Sequence, residues 1–79
     1  MANSMSNVVI GKRQILRELK KGNVAEIIIA ADAEAQYIAS LIEVAKQSGV
    51  SYKLHGTMNE ISQQFGIEVP SGAVGVLKA

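Results

Sequence analysis

A chain of 79 residues, 48% hydrophobic and with only three aromatic rings, forms one domain near the lower size limit for a core that stands without staples. It contains no cysteine, which excludes disulfides, thiolate chemistry and Cys-based zinc sites, and its net charge of +1 is too small to identify a partner by itself. No apolar run approaches the ~20 residues that span a bilayer, and residues 1–6 lack the basic-then-apolar pattern of a secretory signal. The expectation is a cytoplasmic protein with no membrane partner.

Residues 1–6 are small and polar and are expected to be disordered. Val8-Val9-Ile10 reads as a brief strand ending at Gly11. A first helix is predicted from Lys12 to Lys21, with Ile15, Leu16 and Leu19 on its buried face and Gly22 supplying the left-handed residue that ends it. Ala25 to Ala31 contains Ile27-Ile28-Ile29-Ala30, a run apolar on both faces and therefore a central strand covered on both sides. Asp32 is placed to cap a second helix over 33–48, whose apolar stripe is read at positions 35, 38, 39, 42 and 45, and Gly49 closes it. Val50 to Leu54 reads as a third strand. Thr57-Met58-Asn59-Glu60 has capping-box spacing and opens a third helix that ends at Phe65, before Gly66. Pro70 and Gly72 mark 67–72 as a loop, and Ala73 to Leu77 is the last strand. The order β-α-β-α-β-α-β implies a single α/β domain, a three-layer α/β/α sandwich on a mixed four-stranded sheet.

Charge is the most uneven property of the chain. Five of the eight Lys and Arg residues (Lys12, Arg13, Arg17, Lys20 and Lys21) fall between Gly11 and Gly22. On a helix Arg13, Arg17 and Lys20 share a face at i, i+4 and i+7. Lys12 and Arg13 also stand at the amino-terminal end, where a cation opposes the helix dipole at a cost of about 0.3–1 kcal/mol unless an anion neutralises it. The backbone N–H groups of that end are themselves a phosphate site, and Gln14 beside them can both donate to and accept from a base edge. The competing reading of the segment is an ordinary solvated helix face. Ile67 and Val69, beside Pro70, either cap the core or offer apolar surface to an unstacked base.

Nothing argues for catalysis. His55 is the single histidine and has no nearby Cys or acidic pair to make a metal site. The seven acidic residues are scattered, and no serine sits in a nucleophile elbow. The glycines form neither a Walker loop nor a dinucleotide fingerprint. No cofactor is expected.

The segments Gly11-Lys12-Arg13-Gln14 with Arg17 and Lys20-Lys21-Gly22, Ile27-Ile28-Ile29-Ala30-Ala31-Asp32, Leu54 to Gly66, and Ile67-Glu68-Val69-Pro70 through Ala73-Val74-Gly75-Val76 occur in an order that resembles the L7Ae/L30e ribosomal-protein superfamily. The chain is most similar to that superfamily's short bacterial, ribosome-associated members, which bind kink-turn RNA, and the resemblance runs from Val8 to Leu77. It implies an α/β/α sandwich whose first helix docks on sharply bent RNA. In the family a Gly-x-Asn-Glu-x-x-Lys segment opens that helix and reads tandem sheared G·A pairs. Here Arg13 stands at the Asn position, Gln14 at the Glu position and Arg17 at the Lys position. Gln14 lacks the charge of Glu and makes weaker hydrogen bonds to guanine N–H groups, whereas Arg13 can reach guanine O6/N7 or a phosphate. Ile67-Glu68-Val69 matches the family loop that covers a protruding nucleotide, and Asp32 matches a position close to the RNA.

The reading is therefore a non-enzymatic, monomeric, RNA-binding domain over 1–79. Its expected partner is structured kink-turn RNA, in ribosomal RNA or an mRNA leader, rather than DNA. The expected contacts are Gly11, Lys12, Arg13, Gln14, Arg17, Lys20, Lys21, Asp32, Ile67, Glu68 and Val69. The alternative is a protein-interaction module on the same fold with weak or lost RNA binding.

Overall fold

The computed structural model describes residues 7–66 and 71–78. The expected disorder of 1–6 and the expected contacts from Ile67, Glu68 and Val69 lie outside the described residues. Seven elements follow in order: β1 (Val8–Ile10), α1 (Lys12–Lys20), β2 (Val24–Ile29), α2 (Ala35–Ser48), β3 (Ser51–Leu54), α3 (Met58–Phe65) and β4 (Ala73–Leu77).

The strands form one sheet in the order β1-β4-β2-β3. β4 is antiparallel to both β1 and β2, and β2 is parallel to β3, so β1, β2 and β3 all run the same way. The expected mixed sheet is present. β2 is interior and buried on both faces. Ile27 and Ile29 pack with Ile15 of α1 and with Leu41 and Ala45 of α2. Ile28 and Ala30 point the other way, into a cluster with Ile61 and Val74, flanked by Met58 and Phe65 of α3. Two helices on one face and one on the other give the expected three layers. A register shift between Val24 and Glu26, one extra residue on β2, keeps Val24 in the same cluster as Ile27 and Ile29 despite an odd spacing.

Helix ends follow local chemistry. α1 closes with hydrogen bonds from Gly22 N–H to the Leu19 carbonyl and from Asn23 N–H to the Glu18 carbonyl, both 3.0 Å, with Gly22 at φ 74°. α2 and α3 stop at Gly49 and Gly66, both left-handed. The Thr57 hydroxyl accepts from the Glu60 N–H at 3.1 Å, while the Glu60 carboxylate accepts from the Thr57 N–H at 2.8 Å, so the capping box is formed as read.

Two expectations for α2 are corrected. The helix begins at Ala35 with Glu34 as its N-cap residue, and no side chain caps it. Asp32 does not cap α2, because its Oδ1 accepts from the Met58 N–H of α3 at 2.9 Å, after a turn closed by the Ala33 N–H on the Ala30 carbonyl. The buried stripe is also displaced: Leu41 and Ala45 are fully buried with Ile38 and Ile42 packed beside them, while Ala35 and Ala39 are exposed. Alanines blur a stripe because their short side chains serve either face.

Replacing Asp32 by Ala should therefore destabilise the protein by ~1 kcal/mol, as loss of a helix cap does. Amide exchange should accelerate at Met58 in α3 and stay unchanged at the start of α2. Faster exchange in α2 instead would return Asp32 to its expected role there.

Candidate functional site

Because β1, β2 and β3 run in one direction and each is followed by a helix, α1, α2 and α3 all begin at the same end of the sheet. β4 enters the sheet at that end and ties it together. Gly11 N–H donates to the Ala73 carbonyl at 3.0 Å, Ala30 N–H to the Gly72 carbonyl at 2.8 Å, and Ala31 N–H to the Gly56 carbonyl at 2.8 Å. Three positive helix-dipole ends are thereby gathered around the start of one strand. α3 is capped by Thr57 and Asp32, whereas neither α1 nor α2 has a side-chain N-cap hydrogen bond.

The α1 end is bare for a local reason. Its N-cap is Gly11 at φ 89°, a backbone conformation that side-chain-bearing residues rarely adopt, so the position has no oxygen to offer the first turn. No acidic residue lies in that turn. Ile15 anchors the helix at zero exposure, and Arg13, Gln14, Arg17 and Lys20 are exposed. Arg13, Arg17 and Lys20 lie along one strip with Gln14 beside it, and among the described residues none of the three cations is in an ion pair.

The other two basic residues of the segment behave differently. Lys12 is half-buried, and its Nζ donates to the Ser40 hydroxyl of α2 at 2.8 Å. It serves the α1–α2 contact rather than joining the exposed strip. Lys21 approaches Glu18 at 3.8 Å, and Glu18 also accepts from Asn23 Nδ2 at 3.0 Å, so Lys21 is partly neutralised. Asp32 stands at this end of the sheet but is spent on the start of α3. The structure thus brings Gly11, Arg13, Gln14, Arg17 and Lys20 together as one surface.

At the same end of the sheet is a cavity of about 220 Å³ lined by Ala33, Glu34, Tyr37, Met58 and Gly72. It lies where α2 and α3 begin and where the chain enters β4. Gly72 is required here, because a Cβ would come within 2.7 Å of the Tyr37 ring. Asp32, by holding the Met58 amide, fixes the opposite wall. Tyr37, Ser40, Met58 and Gly72 are site residues that the sequence reading did not find. Gly72 beside Pro70 marked a turn, but nothing in the spacing of Tyr37 distinguished it from a core aromatic.

Burial pushes the Tyr37 phenol above its ordinary value of 10.0, and a hydrogen bond from the Lys12 backbone N–H pulls it partly back. The neutral phenol is the form favoured by folding. Its contribution is complete below the unfolded value and is lost as pH rises through the raised folded value. Among the described residues no group of three or more His, Cys, Asp or Glu could hold a metal ion, and no helix is long and apolar enough to cross a membrane. His55 Nε2 lies 2.9 Å from Gln64 Oε1 on the exposed surface, away from the cavity lining.

Comparison with known proteins places this geometry. Residues 1–79 match the model of the Ribosomal protein L7Ae/L30e/S12e/Gadd45 family. An RNA-binding protein of Bacillus pumilus is 32% identical over 71 residues, covering 90% of this chain and 87% of that protein. The RNA-binding protein YbxF of Geobacillus stearothermophilus is 31% identical over 71 residues, with 90% and 87% covered. Among solved structures, a 15.5-kD RNA-binding protein of Giardia lamblia superposes with a TM-score of 0.86 at 25% identity, covering 96% of this chain and 64% of that one. A Bacillus halodurans protein shares the fold at a TM-score of 0.86 and 19% identity, with 94% and 74% covered.

An alkaline titration of the Tyr52→Phe protein, which leaves Tyr37 as the sole tyrosine, should give a phenolate midpoint above 10.0 with stability falling through the same range. A midpoint at or below 10.0 would contradict the burial of this ring.

Proposed function

The chain belongs to the Ribosomal protein L7Ae/L30e/S12e/Gadd45 family, and from that premise we propose that it is a non-enzymatic, ribosome-associated RNA-binding protein that stabilises kink-turn RNA. The observation that carries this reading is the pairing of surface and cavity at one end of the sheet. An unpaired strip of Arg13, Arg17 and Lys20 runs along α1, and a small, largely apolar cavity lies at the end of the sheet where that helix begins.

The two parts suit different portions of one polymer. The strip, with a helix start that has no side-chain N-cap and no acid in its first turn, favours phosphate oxygens. The cavity disfavours them, because its lining carries no cation and includes Glu34. At about 220 Å³ it falls below the ~300–1,000 Å³ of sites for drug-sized ligands, which matches a single splayed base better than a whole cofactor. The aromatic face of Tyr37 and the Met58 side chain supply contact area, and Glu34 can accept from an exocyclic amine. A straight duplex offers no unstacked base at the required place, so the arrangement favours bent RNA with a protruding nucleotide. Binding then selects the kinked form from an extended population.

Within the strip, Gln14 and Arg13 are assigned to base edges at the sheared G·A pairs, and Arg17 and Lys20 to phosphates. Ile67, Glu68 and Val69 are proposed to contact the protruding nucleotide. Lys12 and Lys21 are assigned smaller parts, because Ser40 and Glu18 already engage them.

Titration of a short kink-turn RNA against a variant with Watson–Crick pairs in place of G·A, at two salt concentrations, tests the reading. The kink-turn should bind tightly and fold on addition of protein. Gln14→Ala should reduce discrimination between the two RNAs, and equal losses on both would sink its base-reading role. Lys20→Ala should weaken both RNAs alike and lower the salt slope by about 1. Equal, steeply salt-dependent binding of both RNAs by the unaltered protein would leave only a generic basic patch.

A further inference from the structure

Lys12 opens α1, yet its ammonium lies against α2, where Nζ donates to the Ser40 hydroxyl at 2.8 Å. The Ser40 hydroxyl in turn donates to the Tyr37 carbonyl, about one turn back on its own helix, at 2.9 Å. That bond fixes the Ser40 side chain and commits its only proton, so its lone pairs are left for the ammonium. Tyr37 connects the same chain to the cavity, because its ring is one of the walls and packs against Gly72. The Lys12 ammonium therefore stands two hydrogen bonds from a residue of the cavity wall, and its sequence neighbour, Arg13, belongs to the strip.

The charge at this position is incompletely satisfied. Lys12 is half-buried, Ser40 is neutral and takes one of three N–H donors, and among the described residues Lys12 is in no ion pair. An ammonium that has given up part of its water for one neutral hydrogen bond is completed by an anion. A hydroxyl also does what a carboxylate could not. An acid in place of Ser40 would neutralise the ammonium, whereas Ser40 directs it and leaves its charge available.

We propose that Ser40 is a positioning residue that holds the Lys12 ammonium for one particular phosphate, that of a phosphodiester flanking the nucleotide whose base enters the cavity. The inference deepens the function proposed above and rests on its assignment of the cavity to a protruding base and of the strip to phosphates. A base in the cavity and a backbone on α1 belong to one polymer, so a phosphodiester has to pass from one to the other. The ammonium that Ser40 holds between α1 and α2 is the cation stationed on that passage. Its part is small in number, a single phosphate, but different in kind from that of Arg17 and Lys20. Those two meet phosphates that any basic helix would meet, whereas Lys12 meets one that comes within reach only when a nucleotide is turned out of the stack. The tether matters because a free lysine side chain gives up rotamer freedom on binding, and one held by Ser40 has already done so. Loss of the tether should weaken binding roughly two- to tenfold, the range of one neutral hydrogen bond.

The test sets protein variants against RNAs that differ by one charge. A short kink-turn RNA is made with a single methylphosphonate, which is neutral, at the linkage on one side or the other of the protruding nucleotide. The adjoining 2′-hydroxyl is methylated in these RNAs and in the charged reference. Binding is titrated over a range of salt for the unaltered full-length protein, Lys12→Gln, Lys20→Ala, Ser40→Ala and Ser40→Thr. On the reference RNA, Lys12→Gln should lower the salt slope by about 1. On the RNA neutral at one of the two flanking linkages that loss should vanish, while the loss from Lys20→Ala should be the same on every RNA. Ser40→Ala should keep the salt slope, because the charge remains, and weaken the reference RNA roughly two- to tenfold without weakening that neutral one. Ser40→Thr, which keeps the hydroxyl, should restore the binding. Each comparison is between RNAs on one protein, so a general loss of folded protein cancels, and a merely structural Ser40 would weaken every RNA equally.

Two results overturn the proposal: a Lys12→Gln loss that is the same on the charged and both neutral RNAs, or a Ser40→Ala loss that is indifferent to the linkage. The preference of the unaltered protein for the kink-turn over its Watson–Crick variant is measured beside them. Either overturning result with that preference intact removes the roles of Ser40 and Lys12 alone. Loss of the preference removes the kink-turn reading, and the phosphate assignment falls with it.

Discussion

The antiparallel insertion of β4 between β1 and β2 is the constraint from which the site follows. It allows β1, β2 and β3 to run in one direction while the fold remains small, and it brings the entry of β4 against the ends of those strands. Three hydrogen bonds, from Gly11 to Ala73, from Ala30 to Gly72 and from Ala31 to Gly56, tie the successive strand ends to one another. The gathering of three helix starts at one end is therefore a product of topology before it is a product of any particular side chain.

Within that frame the three helix starts are treated unequally. α3 has a formed capping box and a further carboxylate, Asp32, on its first amide. α1 has a glycine where a cap would stand, no acid in its first turn, and cations along its exposed face. The missing cap and Arg13 at the amino-terminal end lower the stability of an isolated helix, whereas Arg17 and Lys20 in the last turn favour its dipole; the burial of Ile15 against β2 compensates by fixing the helix from below. The result is a helix end that is electrostatically unsatisfied yet held in place. Such an end is suited to an anion, because the anion completes it.

The cavity and the strip also divide the work by polarity. Glu34 keeps the cavity unfavourable to phosphate, while the strip has no carboxylate engaged with Arg13, Arg17 or Lys20 among the described residues. Tyr37 links the cavity to α1: its ring lines the cavity, and its carbonyl accepts from the Ser40 hydroxyl that the Lys12 ammonium engages.

The sequence by itself determined the elements and most of their ends. The continuous apolar run Ile27 to Ala30 marked a strand buried on both faces, because no one-faced strand tolerates it. Gly22, Gly49, Gly66 and the Thr57–Glu60 box marked helix limits through chemistry local to a few residues. The clustering of Arg13, Arg17 and Lys20 was equally legible, since helical spacing alone puts them on one strip. Tertiary structure decided what depends on partners distant in the chain. Asp32 was read as the cap of the helix that follows it, yet it serves one 26 residues away, because the turn after Ala30 faces α3. Lys12 was counted with the exposed cations until Ser40, 28 residues away, claimed its ammonium. The cavity could not be read at all, because its walls come from three separate segments that only the pairing of β4 brings together. Local hydrogen bonding and periodicity are written in neighbouring residues; which distant groups meet is settled by how the sheet closes.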